Sequence, residues 1–164
     1  MLEGYFANHD LLSGNLRYCK SSEGDGKWRL VFYDLDSAVH RRTTAYTNLY
    51  RADTSRQQIS RILMSMLNNP AFREKLIART AEGLRGALAS DHVLQTANDM
   101  FSLIEQERLR DFKRFKTSEL RFQNEAKHLR EFLTDYDAYA AKAFCDCLHL
   151  SAEERRTWFS DWLS

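Results

Sequence analysis

Pro70 is the only proline in the chain, and there are just six glycines, so long stretches are free to run as helix. The three cysteines are too few, and odd in number, to build a disulfide framework, although Cys145 and Cys147 lie close together; the redox compartment stays open. No apolar run reaches the roughly 18 to 20 residues of a membrane span, and Met1 to Phe6 lacks the basic-then-apolar layout of a secretory signal. An excess of either charge is also missing: 24 Lys and Arg stand against 23 Asp and Glu, a formal +1. The overall field therefore gives no reason to expect nucleic acid or an acidic membrane as partner, and any anion site has to be local. What is present, 43% hydrophobic residues, 12% aromatics and 29% charged residues over 164 positions, suits one domain with a real core and a solvated surface.

The chain divides into a β-bearing first third and a helical remainder. Leu2 to Asn8 reads as the last turns of a helix with no capping signal ahead of it. Leu16-Arg17-Tyr18-Cys19 and Trp28 to Tyr33 carry aromatic and β-branched residues on either side of the polar, glycine-bearing segment 21–26, which predicts a β-hairpin. A two-residue turn at Gly24-Asp25 sets Glu23 opposite Gly26 and Asn15 opposite Asp34. The polar stretch His40 to Thr54 shows no period and reads as a loop. Beyond it, Ile59, Ile62, Leu63, Met66 and Leu67 recur at helical spacing, and Asn68-Asn69-Pro70 ends that helix and starts the next. Ser90 is the expected N-cap of a long helix reaching Lys113, and Thr117 that of another. Segment 136–148 forms a further helix, and Ser151-Ala152-Glu153-Glu154 is a capping box ahead of Trp158, Phe159 and Trp162.

Chemistry concentrates in Asn8-His9-Asp10-Leu11-Leu12-Ser13-Gly14-Asn15 and, after the hairpin, Phe32-Tyr33-Asp34-Leu35-Asp36. Phosphoryl transfer from a nucleotide needs one carboxylate to orient the attacking hydroxyl and hard oxygen ligands to hold Mg²⁺ on the phosphates. Asp10 can serve as the first, and Asn15, Asp34 and Asp36 as the second. The Asp-x4-Asn spacing matches the catalytic loop of kinases. By spacing alone, a turn cap at Asp10, a hairpin-flanking Asn15 and a helix cap at Asp34 or Asp36 account for the same residues.

In order and spacing, Asn8, Asp10, Asn15, the Asp25-Gly26-Lys27-Trp28 stretch and Asp34-Leu35-Asp36 resemble the CotH kinase family, the atypical protein kinases first associated with spore coats. Leu67 to Arg73, Leu129 through Phe144 and Leu148 to Ser151 are similar to that family's later helical segments, so the resemblance covers nearly the whole chain. It implies that Asp10 is the catalytic carboxylate, that Asn15 and Asp34 bind the metal and nucleotide phosphates, and that Asp36 is a second acidic ligand or a positioning group. It further implies ATP as phosphoryl donor, Mg²⁺ or Mn²⁺ as cofactor and Ser or Thr of a protein as acceptor. Tyr33 stands where the family usually has Trp. The family's upstream lobe, with its phosphate-binding lysine, is not expected within residues 1–164, so the resemblance implies a carboxy-terminal lobe, with turnover by this chain alone left open and surface available for association. A spore or cell surface location is compatible with the resemblance.

The expected fold is therefore α+β and predominantly helical, a single domain with a short antiparallel hairpin carrying the acidic site and packed on a helical, kinase-like lobe. A non-catalytic, kinase-like helical interaction module is the alternative. His9 either orients the Asp10 loop or packs. Arg41 and Arg42 read as a solvated loop pair, with phosphate contact as the other use. Cys145 and His149 share a helical face but lack further metal ligands, and the mixed-charge run Glu105 to Lys116 reads as a half-exposed helix. Trp158 and Trp162 form a packing stripe.

Overall fold

The computed structural model describes residues 1–8, 17–31, 35–46 and 58–163. Its elements run α1 (Leu2–Tyr5), β1 (Arg17–Lys20), β2 (Trp28–Val31), a 3-10 turn (Arg42–Thr44), α2 (Gln58–Met66), α3 (Pro70–Arg85), α4 (Ser90–Phe115), α5 (Glu119–Leu133), α6 (Tyr136–Cys147) and α7 (Ala152–Phe159). Among the described residues the fold is predominantly helical, with one two-stranded antiparallel sheet.

Local sequence explains the starts of α3 and α7. Asn69 accepts hydrogen bonds from the Ala71 and Phe72 backbone N–H groups, and Pro70 follows at the one position where its missing N–H costs nothing. Ser151 and Glu154 form the expected capping box of α7. Two other caps differ from expectation. Ser118, not Thr117, caps α5 by accepting the Arg121 N–H. Ser90 lies inside α4, and its hydroxyl serves another helix: it donates to the Asp137 carboxylate at 2.8 Å and accepts the Asp137 backbone N–H at 2.9 Å. The starts of α4 and α6 are thereby clasped together. A side chain that can cap either its own helix or a neighbour's is not resolved by a local pattern.

The core is built around α6, whose Tyr136, Ala140, Ala141, Phe144 and Cys145 are fully buried, against Ile77, Ala81 and Leu84 of α3 and Phe159 of α7. Small residues at Ala140 and Ala141 allow close approach, while Phe144 packs on Tyr46 and Phe159. Trp158 and Trp162 pack half-buried on this core, as their spacing predicts, with the Arg85 guanidinium 5.3 Å from the centre of the Trp162 ring. An ion pair between Arg73 of α3 and Glu154 of α7 closes the far side and, with the α7 cap, holds the Glu154 carboxyl down at about 2.

The hairpin differs from expectation in two respects. Its register pairs Arg17 with Val31, Tyr18 with Leu30, Cys19 with Arg29 and Lys20 with Trp28, one residue away from that set by a Gly24-Asp25 turn. The cause lies in a longer connection over 21–27: Gly26 takes the left-handed conformation (φ +68°), and Asp25 accepts the Lys27 N–H and a two-pronged contact from Arg29. Secondly, every strand side chain whose burial is described is exposed, so among the described residues none of the hairpin's side chains is buried against the helices.

Candidate functional site

Three of the candidate residues, Asp10, Asn15 and Asp34, lie outside the described residues, as does His9. The Asn15–Asp34 pairing expected from the turn does not follow from the observed register. Asp36 is described and exposed, and the His40 ring nitrogen Nε2 lies 3.2 Å from its backbone oxygen. Among the described residues no group of three or more His, Cys, Asp or Glu side chains is arranged to hold a metal ion. The described structure does show how the chain on either side of these positions is held.

Segment 1–8 leads into the Asp10 loop, and segment 35–46 leads away from Asp34. The two are bound to one another: the Val39 N–H donates to the Phe6 carbonyl at 2.8 Å and the Tyr46 N–H to the Gly4 carbonyl at 3.1 Å. Both segments are also tied to the helices. Tyr5, fully buried, donates from its hydroxyl to the Leu88 carbonyl at 2.9 Å, and the Tyr136 hydroxyl donates to the Tyr5 carbonyl. Burial pushes both phenols above their ordinary range, so they remain neutral donors at physiological pH.

Arg42 holds the second segment. Its Nη2 donates to the carbonyls of Glu131 at 2.5 Å and Thr134 at 2.6 Å, where α5 ends. Its guanidinium also lies 5.9 Å from the Phe132 ring centre and 5.6 Å from that of Tyr136. The reading of Arg42 as a solvated residue is thus corrected: it caps a helix 89 residues downstream. That role is invisible in sequence because its acceptors are backbone carbonyls.

The frame carries backbone strain. Ala7, Val39 and Tyr46 all adopt positive φ (52°, 64° and 60°), a left-handed conformation that costs non-glycine residues on the order of 1 kcal/mol and more for a β-branched valine. The two inter-segment hydrogen bonds use the backbone N–H groups of two of these residues, Val39 and Tyr46. Asn8, two residues before Asp10 in the sequence, is buried.

The hairpin between the two candidate stretches presents an aromatic pair that spacing did not single out. Tyr18 and Trp28 meet edge-to-face at 5.5 Å while remaining 61% and 66% exposed, with the Lys20 ammonium 5.9 Å from the Trp28 ring centre. Alternation puts these three residues on one face of the sheet, a surface suited to stacking against a flat or anionic group. Elsewhere, Cys145 is buried, with its thiol pushed up to about 11, whereas His149 is exposed, so the two do not form a metal site.

A family model described as CotH kinase protein matches residues 1–139. No curated protein and no solved structure matches the chain.

Proposed function

The chain belongs to the CotH kinase family, which makes it an atypical kinase-like protein, and on that premise we propose that it transfers the terminal phosphoryl group of ATP to Ser or Thr hydroxyls of a protein. In this reading the Asp10 carboxylate accepts a hydrogen bond from the acceptor hydroxyl, aims its oxygen at the γ-phosphorus and takes its proton as the new P–O bond forms and the bond from the γ-phosphorus to the β,γ-bridging oxygen breaks, with ADP leaving. Asn15, Asp34 and Asp36 supply an amide oxygen and two carboxylates, the hard oxygen donors that Mg²⁺ or Mn²⁺ prefers. A divalent cation bound there offsets the negative charge of the phosphates.

The observation that carries this reading is the joined pair of segments. Phe6 and Val39 share a hydrogen bond, so the stretches containing Asp10 and Asp34 both set out from one place on the helical body. Positioning is most of what phosphoryl transfer asks of a protein, and flanking segments held by buried tyrosines and a capping arginine support this reading. The test is transfer of labelled γ-phosphate to a Ser- and Thr-rich protein acceptor. Asp10→Asn is expected to lower the rate by about a hundredfold or more while leaving the fold intact, and a variant as fast as the wild type would refute the assignment.

A second reading, the non-catalytic interaction module, draws on the apolar residues exposed along α4. It predicts a folded chain that ignores nucleotide, which the same labelling experiment, run beside a nucleotide-binding measurement, separates from the kinase reading.

A further inference from the structure

Helices α4 and α5 pack side by side, and the seam between them carries two arginines stacked on aromatic rings. The Arg108 guanidinium of α4 lies 4.6 Å from the Phe122 ring centre of α5 and 5.5 Å from that of Phe112. From the other side, the Arg130 guanidinium of α5 lies 4.8 Å from the ring centre of Phe101 on α4. Flat guanidinium groups resting on rings lose little further freedom when they meet a ligand. Both arginines line one cavity of about 330 Å³, together with Asn98 and Glu105.

Hydrogen bonding in this cavity is out of balance. Arg108 makes no hydrogen bond to any described residue, although its side chain is only 16% exposed, and its one ion pair, with Glu105, is long at 3.9 Å. Arg130 uses Nε alone, which donates to Oδ1 of Asn98 at 2.8 Å, so both its Nη groups are without an acceptor among the described residues. The same bond orients the Asn98 amide: with Oδ1 accepting from Arg130, Nδ2 is left as a donor. Against these donors stands one acidic side chain, the 59% exposed Glu105. Two guanidinium forks and an amide gathered at one cavity suit a group that accepts hydrogen bonds and carries negative charge.

We propose that this cavity binds a phosphate group, held by the Arg108 and Arg130 forks and the Asn98 amide. The oxygens of a phosphate point in several directions, so forks from two helices and an amide can each take a different one, whereas a carboxylate is filled by a single fork. Two guanidinium charges also match a phosphomonoester, which carries nearly two negative charges at neutral pH. The cavity is at the small end of ligand pockets, with room for the phosphate and a few atoms of whatever bears it. Free phosphate and the phosphorylated Ser or Thr of a protein share this chemistry. None of Asp10, Asn15, Asp34 and Asp36 takes part, so the site stands apart from the proposed transfer of phosphoryl groups.

Calorimetric titration of the whole chain tests this with four probes: inorganic phosphate, a phosphoserine peptide, the same peptide unphosphorylated, and acetate. The two phosphate-bearing probes are expected to bind and the other two not. Tighter binding of the phosphopeptide than of inorganic phosphate identifies a phosphorylated protein as the ligand, and the reverse or equality identifies free phosphate. Arg130→Gln and Arg108→Lys should each weaken binding by about fivefold or more, the second because lysine keeps the charge and loses the fork. Glu105→Gln removes the opposing carboxylate at an exposed position and should tighten binding by about threefold or more, a gain that a seam serving only to pack the helices would not give. Unfolding temperatures near that of the wild type will show that the variants fold, and Glu105→Gln keeps the test open if an arginine variant does not. Asp34→Asn should leave binding unchanged, which separates this cavity from the acidic stretch. The proposal is overturned if neither phosphate-bearing probe binds, if acetate binds as well as phosphate, if Glu105→Gln binds no tighter, or if Asp34→Asn abolishes binding.

Discussion

Arg42→Ala asks whether the segment leaving Asp34 is fixed by one side chain. The guanidinium donates to two carbonyls at the end of α5 and lies close to two aromatic rings. A hydrogen bond from a charged donor contributes about 1.5–3 kcal/mol when well buried. Arg42 is half-buried, so the lower end of that range applies to its two bonds together, with about 0.5–1 kcal/mol for each ring contact. The variant should therefore lose about 2–4 kcal/mol, a large share of the 5–15 kcal/mol typical of a domain. Arg42→Lys keeps the charge but not the planar fork and should recover less than half. Urea unfolding followed by tryptophan fluorescence measures both. A loss below about 0.5 kcal/mol for Arg42→Ala, or full recovery by Lys, would refute the reasoning.

Two further predictions concern stability. Arg73 holds the Glu154 carboxyl at about 2, well below its unfolded value, so the resulting stabilisation is complete above the unfolded pKa and is lost as pH falls through the folded one. Arg73→Ala should cost about 1–2 kcal/mol at neutral pH and flatten the stability profile in the acid range, whereas an unchanged acid profile would argue against the pair. Ser90→Ala removes the hydroxyl that caps α6 and satisfies Asp137, so a thermal unfolding scan should show a loss of about 1–2 kcal/mol, against near neutrality if Ser90 were merely a surface residue.

How much the sequence reveals depends on the range over which each interaction acts. Asn69-Pro70, the Ser151–Glu154 box and the apolar spacing of α2 are legible because cause and effect lie within one turn. Ser90, Arg42 and the hairpin register are not. The first two act on partners 47 and 89 or more residues away, and the register depends on a left-handed Gly26 and an Asp25 side chain, for which the shorter turn was an equally good reading. Of the candidate site, the order and spacing of Asp10, Asn15, Asp34 and Asp36 point to the family. Spacing could not reveal the frame of Tyr5, Val39 and Tyr136, whose backbone and hydroxyl contacts join distant segments.

The central claim, that this chain holds a nucleotide and a divalent cation on its acidic stretch, is tested most directly by calorimetric titration of Mg²⁺-ATP or Mn²⁺-ATP into the folded protein, with Asp34→Asn alongside. The account predicts saturable binding that requires the cation and disappears in the variant. Absence of binding by a demonstrably folded wild type, or equal binding by the variant, would contradict it.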